Sequence, residues 1–159
     1  MAERRVSTGK KYYVNRFQAD ISNLKRTIND VLAYFDGSYC KMNEVTRLEL
    51  KVVLNELLIN AVKHGGKNGK KSYVKVIAGM VTEDCAFLIV EDDGEGYDTT
   101  LLNKNRSSVP ENVNVDEVDE TGRGIFIVRS LCEDFMVNEK GNKVVINKKL
   151  SNVGHSTVQ

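Results

Sequence analysis

The sequence predicts an α+β fold, a two-layer sandwich in which one mixed, mostly antiparallel sheet carries its helices on a single face. Three observations lead there. The apolar period alternates between two and about 3.6 residues in the order strand, two helices, hairpin, loop, helix, hairpin, which segregates helices from hairpins instead of interleaving them. The 159 residues suffice for one well-packed core and are short for two. A composition of 41% hydrophobic and 28% charged residues suits a buried core beneath a solvated surface.

Residues 1–11 are polar and basic, through Arg4, Arg5, Lys10 and Lys11, and read as a loose tail. Tyr13, Asn15 and Phe17 alternate as in a first strand. From Asp20 the period lengthens: Leu24, Ile28, Val31, Leu32 and Phe35 share a helical face, Asp20 or Ser22 caps its start, and Gly37 follows its end. A longer helix is expected from about Asn43 to His64, burying Leu50, Val53, Leu54, Leu57, Leu58 and Ala61. Residues 65–71 form a glycine- and lysine-rich loop. Tyr73 to Ala78 and Cys85 to Val90 are β-branched or aromatic runs joined at Thr82-Glu83-Asp84, a hairpin. Residues 97–121 keep no period, hold the only proline, Pro110, and read as a lid within a domain spanning 12–150. Helical spacing resumes at Ile125, Val128 and Leu131. A last hairpin turns at Lys140-Gly141-Asn142, and residues 151–159 are a second tail.

Lys and Arg total 23 against 22 Asp and Glu, so net charge gives no push toward nucleic acid or an anionic membrane. No apolar run reaches membrane-spanning length, and Met1-Ala2-Glu3-Arg4-Arg5 lacks the apolar core of a signal peptide. Cys40, Cys85 and Cys132 are odd in number and far apart, which suits reduced thiols in a cytoplasmic protein. Twelve glycines against one proline point to particular places where backbone freedom is needed.

Two glycine patterns mislead. Gly66-Lys67-Asn68-Gly69-Lys70-Lys71-Ser72 lacks the phosphate-loop spacing and follows a helix, where a phosphate loop follows a strand. Gly94-Glu95-Gly96 and Gly122-Arg123-Gly124 each begin a G-x-G-x-x-G pattern, but Thr99 and Ile127 stand at its third glycine, which disfavours a dinucleotide site. The remaining anomalies form a series. Glu56 and Asn60 lie four apart on an otherwise apolar helix, with Lys63 and His64 one turn on. That polar stripe either meets a ligand or is the exposed face, and the segment alone does not choose. Asp92-Asp93-Gly94-Glu95-Gly96 ends a buried strand, where a carboxylate can accept from a ligand amine. Thr121-Gly122-Arg123-Gly124 immediately precedes a helix, where backbone N–H groups and Arg123 suit phosphate. Each is weak alone.

In this order, with a lid-length loop between the last two, the series resembles the Bergerat-fold ATPases, the superfamily of gyrase, heat-shock chaperone, histidine kinase and mismatch-repair ATP sites. Glu56-x-x-x-Asn60 looks like the N box, Asp92-Asp93-Gly94-Glu95-Gly96 the first glycine box and Gly122-Arg123-Gly124 the second. The likeness runs from about Phe17 to Leu150. Its length and Glu56-Leu-Leu-Ile-Asn60-Ala-Val-Lys-His64-Gly65 look most like the anti-sigma-factor serine kinases. The resemblance implies ATP and Mg²⁺, with the Asn60 amide oxygen on the metal and Glu56 as the base for an attacking hydroxyl. It implies Asp92 as the acceptor for the adenine amino group, Gly94 and Gly96 beside the base, and Gly122, Arg123 and Gly124 on the phosphates. Lys63 and His64 fall near phosphate, and Arg26 falls where that family contacts its protein partners. The implied function is a cytoplasmic protein-serine kinase, a homodimer that sequesters a sigma factor and phosphorylates an anti-anti-sigma protein, without touching nucleic acid directly. The lid departs from the family pattern and is acidic near its end, and Arg123 stands where small or apolar residues are also familiar. Neither departure touches Glu56 or Asn60, so an active site is expected. Two alternatives are a nucleotide-gated binding module, against which Glu56 argues, and the detached ATP domain of a histidine kinase. The latter needs a phosphoacceptor histidine on a dimerising helix, whereas the two histidines are His64, in the site, and His155, in the tail.

Overall fold

The computed structural model describes residues 12–38, 42–65, 71–96 and 120–151. The expected tails, Cys40, the glycine–lysine loop at 66–70 and nearly all of the expected lid lie outside the described residues. Strand β1 (Tyr13–Gln18) leads through a 3₁₀ turn (Ile21–Asn23) into helix α1 (Leu24–Ser38) and helix α2 (Glu44–Gly65). Strands β2 (Tyr73–Met80) and β3 (Cys85–Asp92) follow, then helix α3 (Glu120–Leu131) and strands β4 (Asp134–Val137) and β5 (Lys143–Lys149). The five strands form one sheet in the order β1-β2-β3-β5-β4, every described pairing antiparallel. The α+β class expected from the sequence is the observed one.

Alternation along the strands assigns the two faces. Phe17, Val74, Val76, Ala78, Ala86, Leu88, Val90, Val144 and Ile146 are buried. They pack with Leu24, Ile28, Val31, Leu32 and Phe35 of α1 and with Leu50, Val53, Leu54, Leu57, Leu58 and Ala61 of α2 in one cluster. Both helical stripes are those the apolar spacing predicts. Each large side chain so buried contributes about 1.5–3 kcal/mol. The other face of the sheet carries the alternate residues, Val14, Ile77, Ile89 and Val145 among them, and these lie outside that cluster.

The helix ends depart from expectation in two places. Asp20 does cap, but its carboxylate accepts from Ser22 N at 2.9 Å to close the 3₁₀ turn ahead of α1. At the far end α1 runs through Gly37 to Ser38 instead of stopping before the glycine. A side chain at Gly37 would meet nothing, so only intrinsic propensity opposes helix there, and that is about 1 kcal/mol. Asn43 caps α2, accepting from Thr46 N at 2.8 Å. The second correction is α3, which begins at Glu120, well before Ile125, so Gly122, Arg123 and Gly124 are its opening turns and not a loop ahead of it. Its last turn is held by Lys148, whose ammonium is nearly inaccessible and donates to Leu131 O at 2.7 Å and Glu49 Oε2 at 2.8 Å. One side chain thereby ties β5 to the end of α3 and the start of α2.

Candidate active site

Helix α2 presents Glu56 and Asn60 one turn apart on the side that meets α3 and the sheet. Asn60 is 8% exposed, and its Nδ2 is buried with no hydrogen-bond partner among the described residues. A buried amide left so is expensive, by about 1–3 kcal/mol, unless something else engages it. It lines a cleft with Leu57, Ala61, Val90, Asp92, Ile125, Gly141, Asn142 and Val144. The walls are apolar apart from Asn60, Asp92 and Asn142, a few polar groups in an apolar lining as small-molecule sites have.

Asp92 ends β3 and is 6% exposed. One carboxylate oxygen accepts from Gly94 N at 2.9 Å. Burial raises its pKa, and the neighbouring charges of Asp93 and Glu91 add to this, while the Gly94 hydrogen bond and Lys140 oppose it. The Asp92 backbone is clamped on both sides by one residue: its N–H donates to Asn142 O at 2.9 Å, and its carbonyl accepts from Asn142 Nδ2 at 2.8 Å. Asn142 is positioned in turn by Asn138, whose Oδ1 accepts from the N–H groups of Gly141, Asn142 and Lys143 at 2.9–3.1 Å.

The glycines are sites of close approach. A Cβ on Gly94 would stand 2.5 Å from His64 O and 3.1 Å from Gly65 Cα, so the first glycine box closes directly on the end of α2. Gly96 has φ +80°, and a Cβ there would run into the Lys140 carbonyl, which brings the same box against the β4–β5 turn. A Cβ on Gly124 would strike the Glu56 carboxylate. The opening turns of α3 therefore pack on α2 at Glu56.

Asn60 and Asp92 thus share one cleft, Glu56 meets Gly124, and Gly94 and Gly96 bracket Asp92 between α2 and the last hairpin. His64 is half-buried and contributes its backbone carbonyl to the Gly94 contact. Lys63 and Arg123 are exposed, and Gly122 is half-buried in the first turn of α3. Arg26 is exposed on α1 and takes no part in the cleft. Sequence reasoning missed Gly141, Asn142 and Asn138. Lys140-Gly141-Asn142 reads as a turn, correctly, but nothing local reveals that its asparagine reaches a backbone 50 residues away.

The chain is similar to several known proteins. Residues 17–148 match the family model of the histidine kinase-like ATPase domain. The serine-protein kinase RsbW of Bacillus subtilis is 30% identical over 112 residues, 69% of each chain. The serine-protein kinase RsbW of Staphylococcus epidermidis is 22% identical over 125 residues, 79% of this chain and 76% of that one. Among solved structures, the histidine kinase domain of the blue-light activated histidine kinase EL346 of Erythrobacter litoralis aligns with a TM-score of 0.46 at 20% identity, over 81% of this chain and 59% of its own.

Proposed function

The chain belongs to the histidine kinase-like ATPase domain family, in company with RsbW serine-protein kinases, and from that membership we propose that it is an ATP- and Mg²⁺-dependent protein-serine kinase acting as an anti-sigma factor. The observation that carries the reading is the joint placement of a buried Asn60, whose Nδ2 has no partner among the described residues, and a buried Asp92 carboxylate in one largely apolar cleft, with Glu56 one helical turn away. A binding site for a base needs only the Asp92 end. The acid on α2 is what a phosphoryl-transfer enzyme adds.

In this reading Asp92 accepts from the adenine amino group, which selects adenine over guanine because guanine carries a carbonyl at that position. Gly94 and Gly96 leave the base room beside the backbone. Asn60 would hold Mg²⁺ through its amide oxygen, the hard ligand that ion favours. When bound, the metal neutralises triphosphate charge and orients the phosphoryl group for in-line transfer. The N-terminal turn of α3, with Gly122, Arg123 and Gly124, holds phosphate oxygens by its dipole and the Arg123 charge, and Lys63 and His64 support them from the end of α2. Glu56 takes the proton from the substrate serine hydroxyl as its oxygen bonds to the γ-phosphorus and ADP leaves. The substrate is an anti-anti-sigma protein, the sequestered partner is a sigma factor, and Arg26 on α1 contacts them. A homodimer in the cytoplasm belongs to the same reading.

Transfer of label from ATP to the serine of a cognate antagonist tests it. Glu56→Ala is expected to lower the rate by about 10²–10⁴-fold while leaving Mg²⁺–ATP binding in place. Binding of ATP with Mg²⁺ and no labelled serine on any candidate antagonist would remove the kinase assignment.

A further inference from the structure

The turn between β4 and β5 carries a relay of two asparagines that ends at the cleft. Asn138 Oδ1 faces the main-chain N–H groups of Gly141, Asn142 and Lys143, so that atom must be the amide oxygen. Asn138 Nδ2 then donates to Asn142 Oδ1 at 2.7 Å. Asn142 Nδ2 donates in turn to Asp92 O at 2.8 Å, and a main-chain carbonyl can only accept. Backbone groups of fixed role pin both ends of the relay. The Asn142 amide therefore has one orientation, with its nitrogen toward Asp92. Reversing it would set carbonyl against carbonyl and leave the Asn138 donor unmet.

An amide nitrogen carries two hydrogens. One on Asn142 goes to Asp92 O, and the other meets no acceptor among the described residues, although Asn142 is half-buried and lines the cleft. Asp92 is in the complementary condition: its Oδ1 accepts from Gly94 N, while Oδ2 takes no donor among the described residues. The cleft thus offers a carboxylate acceptor and a fixed amide donor on residues that touch. Adenine matches that pair, because its amino donor is flanked by two acceptor ring nitrogens, N1 and N7. We propose that Asn142 reads the base beside Asp92, donating to the ring nitrogen next to the adenine amino group, and that Asn138 is the positioning residue that keeps it a donor. The inference rests on the adenine site of the reading above and on no other part of it. The residue type is decisive. A hydroxyl in place of the Asn142 amide has a single hydrogen, which Asp92 O would take, leaving none for a ligand. Asn138 is exposed and does not line the cleft, so its effect on the base runs through Asn142.

Calorimetric titration of the full chain with Mg²⁺ and ATP, 1-deaza-ATP or 7-deaza-ATP is the test. Each analogue replaces one ring nitrogen by C–H and keeps the amino group and the triphosphate. One of the two is expected to bind about tenfold more weakly than ATP, because it leaves the Asn142 donor unmet. In Asn142→Ala that gap is expected to close, whereas a residue that only held the turn would weaken all three nucleotides alike and leave the gap intact. Asn138→Asp keeps an oxygen for the three N–H groups and removes the donor to Asn142 Oδ1. It is expected to close the gap with the melting temperature unchanged. Wild type binding both analogues as tightly as ATP overturns the base-reading role without recourse to any variant. A gap that survives in Asn142→Ala overturns it too, and one that survives in Asn138→Asp overturns the positioning role. A wild-type chain that binds none of the three removes the adenine site itself, a failure distinct from binding without discrimination.

Discussion

In the proposed reading Asp92 accepts from an adenine amino group most strongly as a carboxylate, yet only 6% of it is exposed and its pKa is raised, chiefly by burial. Folding stability and recognition therefore oppose each other at this carboxylate. Because the folded chain holds the proton more tightly than the unfolded one, the term favours folding below the ordinary value of 3.8 and is lost as pH rises through the raised folded value. Asp92→Asn keeps an oxygen for Gly94 N and removes the buried charge. Its melting temperature is expected to match wild type below pH 3.8 and to exceed it by a margin that grows as pH rises through the raised folded value and then levels off, while ATP affinity falls at least tenfold, the loss of a hydrogen bond to a charged group. Thermal melts across pH with nucleotide titration check both halves. A variant less stable than wild type at neutral pH would show that the carboxylate is compensated in the folded chain. The cysteines make no such demand: Cys85 and Cys132 are free and half-buried, and burial pushes the Cys132 thiol up to about 12, so it stays protonated at neutral pH.

At the scale of elements, α3 is where local sequence and fold disagree. Read locally, Gly122 and Gly124 disfavour helix by about 1 kcal/mol each, and the apolar period begins only at Ile125. The helix nevertheless starts at Glu120, because Gly124 packs on Glu56 and any side chain there would strike the carboxylate. The same glycines that weaken the helix in isolation allow its close contact with α2. Its other end depends on Lys148, which spans Leu131 O and Glu49. Replacing that ammonium leaves a carbonyl and a carboxylate unpaired, although Glu49 is exposed enough to regain water, so Lys148→Met is expected to lower stability by about 1–3 kcal/mol. Hydrogen exchange should accelerate most in α3. Protection of α3 equal to wild type would mean that the helix is held by its apolar face alone.

For the molecule as a whole, stability comes from the layer between the sheet and α1 with α2. Leu58, fully buried at the centre of α2, is expected to cost about 2–5 kcal/mol when cut to alanine. For a chain of this size that lowers the melting temperature by roughly 5–20 °C, measurable by calorimetry, and a drop of under about 2 °C would place the centre of the core elsewhere. The α+β class, both helical stripes and both hairpins are legible in the residues, because each depends on spacing within a few turns or strands. Gly94, Gly96, Gly122 and Gly124 read from the sequence as site glycines, whereas Gly141, with φ +77°, lines the cleft only once the chain is folded. Tertiary structure alone decided that Asn142 clamps Asp92 and that Gly124 meets Glu56. Such contacts join residues dozens of positions apart, and no local period records them; they follow from sheet register and helix packing, which exist only once the chain has closed on itself.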